Sequence, residues 1–404
     1  MNTTTLPPSP APRIPNAARA ALALLERIRH GRLHLYLPDG SSRHVGSGEP
    51  AATLRVRDWD LFAACLARGD IGLAESWMAG GWSTSDLSAT LSLLVQNRRE
   101  LEGAVYGSAW TTLLARLRHL LNRNSRAGSR RNIEAHYDLG NAFYGLWLDE
   151  TMNYSSALFE QPGMAMPDAQ RAKVRRALNA AGVQAGDRVL EIGCGWGALA
   201  EMAAGEFGAH VTGVTLSHEQ LAYARERLEK AGLGERADLR LQDYRDIDDG
   251  PYDAVCSIEM VEAVGREYWP TYFAAVARLL VPGGRACVQA IVIDDALWNR
   301  YVAGTDFIQQ YIFPGGCLPC PREFVAQAQA AGLEVVESFA FGQDYARTLR
   351  HWRDGFLARR EEVMALGFDE RFIRMWEFYL CYCEAAFLHG NTDVVQYTLR
   401  KRPA

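Results

Sequence analysis

The sequence lacks several features that would assign a function at once. No run approaches the roughly 20 apolar residues of a membrane-spanning helix. The net charge of −5 over 404 residues provides no general attraction to a polyanion such as nucleic acid. The polar, Pro-rich N-terminus has no basic residue before Arg13, which is not typical of a signal peptide. These absences favour a globular, cytoplasmic protein without a nucleic-acid partner, and we expect residues 1–15 to form a disordered tail.

Cysteine is also scarce. Eight cysteines in a chain of this length are too few for a disulfide framework, which fits a reducing compartment. Cys317 and Cys320 have the spacing of zinc ligands, but neither a second cysteine pair nor a histidine pair accompanies them. The sequence therefore predicts no metal site.

Two segments precede the main body of the chain. Residues 16–106 have the pattern of a small α+β domain, with a hairpin signal at Pro38-Asp39-Gly40 between alternating stretches. Residues 107–131 form a basic segment, and its part 113–131 holds six arginines and no acidic residue. This segment is either a solvated linker or an amphipathic stretch that meets anionic lipid.

From about residue 180, short apolar stretches alternate with helical patterns. "DRVLEIG", "HVTGVTL", "ADLRLQD" and "YDAVCSIEM" have the composition of buried strands. Strands that alternate with helices predict a doubly wound, mostly parallel sheet covered on both faces. In such a sheet ligands bind beyond the carboxyl ends of the strands.

The stretch "VLEIGCGWGALA" holds three glycines between a strand and a helix, Gly193, Gly195 and Gly197. Glycines there let the backbone turn tightly and approach a nucleotide-like ligand. The spacing differs from a dinucleotide fingerprint, no acid follows the second strand, and no Walker lysine is present. Gln242-Asp243-Tyr244 follow the third strand, where an amide or carboxylate can accept the amino proton of an adenine.

The glycine turn resembles motif I of class I S-adenosylmethionine-dependent methyltransferases. Further segments resemble the cyclopropane-fatty-acyl-phospholipid synthase family, including its mycolic acid members: "IEAHYDLGNAFYGLWLDETMNYSSALFE", "VTGVTLSHEQLAYA", "SIEMVEAVGREYWPTYF", "DFIQQYIFPGGCLP" and "FGQDYARTLRHW". The likeness is close over about residues 130–400, and residues 16–105 resemble the extra N-terminal domain of the phospholipid-acting bacterial members. It implies a seven-stranded class I methyltransferase domain over residues 132–404, with helical lid insertions.

The resemblance also implies a set of cofactor-binding residues for S-adenosylmethionine. The methionine end of the cofactor would meet Tyr154, Ser155, Gly193 and Gly195. The ribose would meet Thr215 and Gln220, and the adenine would meet Gln242, Asp243 and Tyr244.

The catalytic residues that the resemblance implies are Glu262, Tyr345, Gln289, Ser156 and Cys383. The family adds a methylene from the cofactor across a cis double bond of an acyl chain. It passes through a carbocation that a bound base, thought to be bicarbonate, deprotonates. Glu262 matches the family's active-site glutamate, and Tyr345 matches the family's anion-site tyrosine. Glu262→Gln is therefore expected to lower turnover by on the order of 10²-fold.

Two residues of the implied bicarbonate pocket depart from the well-known members. Ser156 stands where they have cysteine, and Gln289 stands where they have histidine. Serine and glutamine can still donate hydrogen bonds to an anion, but glutamine cannot exchange a proton near neutral pH. Ring closure therefore has an alternative, in which the carbocation gives a methylene- or methyl-branched chain.

The prediction is thus a cyclopropane synthase acting on phospholipid acyl chains, with a lipid C-methyltransferase as the alternative. A non-catalytic lipid-binding protein and a small-molecule N-methyltransferase are the other classes. The resemblance implies peripheral contact with the inner face of a phospholipid bilayer, and a homodimer. His136 and Tyr137 lie in the family's "HYD" motif, with either a structural or a functional role.

Overall fold

The computed structural model describes residues 14–101 and 139–403. These ranges belong to two compact units, and each unit is described by itself. The expected domain borders near residues 106 and 131, the basic stretch 113–131, His136 and Tyr137 lie outside the described residues. The expected tail, except its last two residues, lies outside them as well.

The first unit is a four-stranded sheet with helices against it. Its strand order is β2-β1-β3-β4, and β1 pairs with β2 through the turn at Pro38-Asp39-Gly40, as the hairpin signal predicts. Leu33 and Leu35 of β1 face the core of this unit and are buried. The elements are α1 (Asn16–Leu25), β1 (Gly31–Tyr36), β2 (Ser42–Ser47), β3 (Ala51–Val56), α2 (Asp60–Arg68), α3 (Asp70–Met78), β4 (Trp82–Ser83) and α4 (Leu87–Gln96).

The second unit is built on a seven-stranded sheet of order β10-β11-β9-β8-β5-β6-β7. Strands β5 to β9 are parallel to one another, and β11 runs antiparallel to both β9 and β10. The strands are β5 (Arg188–Ile192), β6 (His210–Thr215), β7 (Ala237–Leu241), β8 (Tyr252–Ile258), β9 (Leu280–Ile293), β10 (Leu333–Ala340) and β11 (Thr392–Lys401). The predicted doubly wound, mostly parallel sheet is confirmed.

Helices cover both faces of this sheet. They are α5 (Asn141–Tyr144), α6 (Met166–Ala180), α7 (Ala198–Gly205), α8 (His218–Lys230), α9 (Trp269–Leu279), α10 (Trp298–Ala303), α11 (Phe307–Tyr311), α12 (Pro321–Ala330), α13 (Gly342–Ala358), α14 (Arg360–Ala365) and α15 (Glu370–Leu388). Among the described helices, none is both long and apolar enough to cross a bilayer.

Two hydrophobic clusters hold the sheet, one on each face. Val189 and Leu190 are adjacent in β5 and fully buried, and they belong to different clusters because successive strand residues point to opposite faces. A parallel sheet buried on both faces leaves polar side chains few places except strand ends. The candidate functional residues accordingly gather at the carboxyl ends of the strands.

Candidate active site

The glycine turn follows β5 and opens toward a free space. Gly193, Gly195 and Gly197 have φ values of 87°, 50° and 85°, in the region that favours glycine. The amide N–H groups of Gly193 and Cys194 both donate to the carbonyl of Val214, which fixes the turn against β6. A Cβ placed on Gly195 would meet no atom within 4 Å, so the turn has room on that side for a ligand.

Polar residues predicted for the ribose and adenine follow β6 and β7. The Thr215 hydroxyl donates to Gln220 Oε1 at 3.1 Å, and both side chains are buried. The Asp243 carboxylate accepts hydrogen bonds from the Arg245 guanidinium at 2.8 and 2.5 Å, whereas the Gln242 amide donates to the carbonyl of Asp246. Tyr244 is buried beside them. These residues therefore lie along one edge of the sheet, next to the glycine turn.

A buried lysine holds the segment predicted to meet the methionine end. Lys173 Nζ donates to Ser155 Oγ at 2.5 Å and to Asn153 Oδ1 at 3.2 Å. Tyr154 lies between these two acceptors in the chain, and its hydroxyl is 2.8 Å from the hydroxyl of Tyr379. Burial lowers the pKa of Lys173 to about 8, and nearby carboxylates act in the opposite direction. Lys173 is not among the residues predicted from the sequence, where it looks like any polar residue of a helix.

The centre of the candidate site is Glu259, which directly follows β8. It is also not among the residues predicted from the sequence. Its Oε1 accepts from the amide N–H of Ser156 at 2.9 Å and from Gln289 Nε2 at 2.7 Å. Its Oε2 accepts from the Tyr345 hydroxyl at 2.6 Å. Three of the residues predicted for the bicarbonate pocket thus meet around one carboxylate of the chain itself. The available signal was an acidic residue at the carboxyl end of a parallel strand.

The backbone at Glu259 is held in an unusual conformation. Its φ is 50°, and Met152 is the other non-glycine residue with positive φ in the parts of the chain that the structure describes. The Glu259 N–H donates to the carbonyl of Gln289 at 2.8 Å, so the neighbouring strand fixes the turn. A non-glycine residue in this region costs on the order of 1 kcal/mol or more and is typical of functional sites.

The charge on Glu259 is balanced by several groups. Burial raises the pKa of Glu259 above its ordinary value, while hydrogen bonds from Tyr345, Ser156 and Gln289 and the positive charge of Lys173 oppose that rise. Tyr345 is itself buried. Burial, followed by the negative charge of Glu259, raises the pKa of its phenol above the ordinary value. Because Tyr345 stays protonated, it donates to the carboxylate and does not compete with it for a proton.

Glu262 lies in a short 3-10 turn, Val261–Ala263, after β8. Its Oε1 accepts from the amide N–H of Ile291, and its buried Oε2 has no partner among the described residues. Burial, followed by the negative charge of Glu259, raises the pKa of Glu262 to about 8. Glu262 is therefore a neighbour of the Glu259 cluster and does not hydrogen-bond to it, and its predicted catalytic role stays a prediction.

Two other predicted residues occupy positions that differ from simple expectation. Ser156 contacts Glu259 through its backbone N–H, whereas its buried hydroxyl donates to the carbonyl of Ala157 at 3.0 Å. Its hydroxyl therefore donates to the backbone and not to the carboxylate. Burial raises the pKa of Cys383, a residue of α15, so its thiol is not an activated nucleophile.

The site fits S-adenosylmethionine. The turn after β5 leaves the space at Gly195 that a close-lying ligand needs, and a buried oxygen of β5 itself, Glu191 Oε2, lacks a partner among the described residues. Glycine turn, polar strand ends and strand order together define a class I S-adenosylmethionine-dependent methyltransferase. Within the described residues, no cluster of three or more histidine, cysteine, aspartate or glutamate side chains is arranged for a metal ion.

Comparison with known proteins gives the family. The family model described as mycolic acid cyclopropane synthetase matches residues 124–397, and the chain belongs to this family. The chain is 43% identical, over 96% of its length and 93% of the relative, to the tuberculostearic acid methyltransferase UfaA1 of Mycobacterium tuberculosis. It is 36% identical, over 84% of its length and 86% of the relative, to the cyclopropane-fatty-acyl-phospholipid synthase of Escherichia coli.

Solved structures agree with this assignment. The mycolic acid cyclopropane synthase CmaA1, complexed with S-adenosylhomocysteine and CTAB, superposes with a TM-score of 0.64 at 31% identity. The match covers 67% of this chain and 98% of that one. The predicted family membership and class I methyltransferase fold are thereby confirmed, and the chain is a lipid-modifying methyltransferase of this family.

Proposed function

We propose that this enzyme methylates the cis double bond of a phospholipid acyl chain and yields a methylene-branched chain, with Glu259 as the base. The observation that carries the proposal is the position of the Glu259 carboxylate. It already accepts hydrogen bonds from Tyr345, Gln289 and the Ser156 amide, the groups expected to bind bicarbonate. In this proposal the carboxylate of Glu259 replaces a bicarbonate ion that would otherwise bind from solution.

Glu259 has the properties that a base in this reaction needs. When bound, the cofactor supplies an electrophilic methyl group on a sulfonium sulfur. The carbon–carbon double bond contributes its electron pair to the new bond with that methyl as the bond from the methyl to sulfur breaks. S-adenosylhomocysteine would leave with that bonding pair, and a positive charge remains on the neighbouring chain carbon. Glu259 then takes one proton from the new methyl group, and its raised pKa makes the carboxylate a better acceptor.

Aromatic rings surround this part of the site. Tyr345 stacks on Phe387 at 4.4 Å between ring centroids and meets Trp352 edge-on at 6.1 Å, and Tyr154 lies 5.3 Å from Trp352. Such rings exclude water and present negative faces that stabilise a cation. Exclusion of water is needed because a carbocation reacts with it readily.

The product depends on what happens before the proton leaves. If hydride shifts from the methylated carbon to its neighbour, the positive charge becomes tertiary, and loss of a methyl proton gives an exocyclic methylene. If the proton leaves first, the methyl carbon closes a three-membered ring. The chain has a higher sequence identity to the tuberculostearic acid methyltransferase than to the cyclopropane synthase, and over a larger share of its length. This similarity supports the first outcome.

Cyclopropanation is the second candidate. Both outcomes remove a proton from the same methyl carbon, so Glu259 could serve either, and the Escherichia coli relative carries that activity in its name. This chain has Tyr345, which the resemblance assigns to the anion pocket, and its hydroxyl donates a hydrogen bond into the site. A bicarbonate ion would then have to bind beside Glu259.

A phospholipid substrate requires contact with a bilayer surface. We propose that the enzyme binds the membrane peripherally, and the basic stretch 113–131 is the segment expected to contribute. The six arginines of this stretch support the membrane proposal, and the resemblance to the family supports the proposal of a homodimer.

The test is a product analysis. Purified enzyme is incubated with S-adenosylmethionine and vesicles of a cis-monounsaturated phospholipid, in buffer with or without bicarbonate, and the released acyl chains are examined by gas chromatography and mass spectrometry. We expect a methylene-branched chain whose yield is independent of bicarbonate. A cyclopropane chain that depends on bicarbonate would contradict both the product and the role of Glu259.

A further inference from the structure

A chain of side-chain hydrogen bonds leads from Glu259 to the protein surface. Gln289 Nε2 donates to Glu259 Oε1 at 2.7 Å, and Gln289 Oε1 accepts from Gln396 Nε2 at 3.0 Å. Gln396 Oε1 accepts from Arg176 Nη1 at 2.7 Å. Arg176 Nη2 donates in turn to Glu337 Oε1 at 2.7 Å, on a half-exposed side chain.

The sheet brings these residues into one row. Gln289 of β9 lies directly opposite Gln396 of β11, and on the other side it is in register with Ile258, the residue before Glu259. Phe339 of β10 lies opposite Gln396 and supports the Arg176 guanidinium, which stands 3.8 Å over its ring. The hydrogen-bonded row therefore runs from the end of β8 across β9 and β11, passes through Arg176 of α6 and ends at Glu337 of β10.

The direction of every hydrogen bond in this chain is determined. Gln396 Nε2 also donates to the carbonyl of Lys173 at 3.1 Å, which requires a donor on that side of the amide. Arg176 is a donor only, which requires the Gln396 oxygen on the other side. Gln396 thus turns a donor toward Gln289, so Gln289 must place its oxygen there and its NH2 group toward Glu259. Both glutamines are fully buried, so no water replaces these partners without rearrangement.

We infer that Gln396 and Arg176 are positioning residues for the base, holding the Gln289 amide with its donor toward Glu259. Oε1 of Glu259 then faces two fixed donors, the Gln289 amide and the Ser156 N–H. A proton taken from substrate is directed to Oε2, where the Tyr345 hydroxyl can rotate. The inference deepens the proposed function and rests on Glu259 being the base.

Several charged and titratable groups face Glu259 besides this chain. Lys173 of α6 lowers its pKa, and so does the hydrogen bond from Tyr345 of α13. Glu262 interacts with Glu259 unfavourably when both are ionised. Replacing Gln396 also removes its hydrogen bond to the backbone carbonyl of Lys173, and replacing Arg176 removes a positive charge from the same helix. A shift in the pKa of Glu259 therefore reports the orientation of Gln289 where Gln289→Met abolishes that shift.

The experiment replaces Gln396 by methionine and reads Glu259 directly. Carbon-13 NMR of glutamate-labelled protein, with the Glu259 signal assigned through Glu259→Gln, gives its titration without any lipid. In Gln396→Met the Gln289 amide is free to turn its oxygen inward, so we expect the pKa of Glu259 to rise by about one unit. The acid limb of the kcat profile should move to higher pH by the same amount, because the base must be ionised.

Coupling separates a positioning role from a structural one. Gln289→Met alone should give a similar shift. Adding Gln396→Met to it should change nothing further, because on this inference the effect of Gln396 passes through Gln289 and not through its contact with Lys173. Arg176→Met should shift the titration in the same direction but less. The matched control is Arg175→Met, on the same helix as Arg176. It removes an exposed ion pair with Glu206 and should leave the titration of Glu259 unchanged.

Two results would overturn the inference: an unchanged Glu259 titration in Arg176→Met and Gln396→Met, or additive shifts in the double variant. If Gln396→Met does not fold, Arg176→Met gives the reading, since Arg176 lies near the surface. An inactive wild-type enzyme on phospholipid would contradict the proposed function, and the NMR titration would still test the chain.

Discussion

The two halves of the large sheet build their polar sites in different ways. In the half formed by β5 to β7, contacts are local: Thr215 bonds Gln220 five residues on, and Asp243 bonds Arg245 two residues on. In the half formed by β8 to β11, Glu259 meets Ser156 at a separation of 103 residues and Tyr345 at 86. The first half is set mainly by backbone turns, the second by side chains that tertiary packing brings together.

This difference predicts different sensitivities. A site made of backbone and glycine tolerates changes in most nearby side chains and fails when the turn itself is strained. A site made of a buried hydrogen-bond network depends on each of its members, because removing one leaves others unsatisfied. Three substitutions test this contrast, one at the centre of the network, one beside it and one in the turn.

The largest effect is expected for Glu259→Gln. Glutamine can keep one accepted hydrogen bond but cannot take a proton, so turnover should fall by about 10³-fold. Methyl transfer is followed with labelled S-adenosylmethionine, and binding of S-adenosylhomocysteine by calorimetry serves as the control, which should remain near the wild-type value. Wild-type turnover in this variant would remove Glu259 from the mechanism.

A smaller effect is expected for the stability of Glu262→Gln. Because its pKa is about 8 in the folded protein, above its ordinary value of 4.5, the native state retains a proton that the unfolded chain has released between those limits. The wild type therefore loses stability as pH rises through this range, and the neutral variant does not. From about pH 5 to pH 8 the variant should gain on the order of 3 kcal/mol relative to wild type.

Chemical denaturation at several pH values measures this gain. A parallel loss of stability with pH in both proteins would show that Glu262 is ionised in the fold. The same variant tests the catalytic role that the resemblance implies, since undiminished turnover would contradict it.

The smallest effect is expected in the cofactor half, for Gly193→Ala. With φ at 87° and the new Cβ 3.0 Å from Met260 Cγ, the turn must shift, and we expect binding of S-adenosylhomocysteine to weaken about 10-fold. Gly186→Ala is the matched control, because φ is 86° and a Cβ there meets nothing within 4 Å. Both variants should lose similar stability in thermal melts, and equal cofactor affinity in both would contradict a role for the Gly193 turn.

The same contrast explains what the sequence could predict. The alternation of strands and helices and the glycine turn are local patterns, and the structure contains both. Glu259 is different: in "SIEMVE" it reads as the last residue of a strand, and nothing nearby indicates that Tyr345 donates to it. Lys173 likewise lies among ordinary helix residues, and its contact with Ser155 exists only in the folded chain.

The departures at Ser156 and Gln289 show the same limit. From sequence they left hydrogen bonding to an anion possible and opened an alternative to ring closure, because glutamine cannot exchange a proton near neutral pH. The structure places the carboxylate of Glu259 against that pocket, and Ser156 takes part through a backbone group that any residue carries. A substitution read one position at a time gives no account of a compensating residue elsewhere.

The left-handed backbone at Glu259 has an evolutionary consequence. Glycine adopts φ of 50° without strain, and a change of one nucleotide converts a glutamate codon to a glycine codon. A glycine there would keep the turn and leave the donors of Tyr345, Gln289 and the Ser156 amide facing a vacancy the size of a small carboxylate. One substitution thus separates an enzyme with its own base from one that binds an anion from solution as the base. If the Glu259→Gly site can bind such an anion, added formate or bicarbonate should restore its activity.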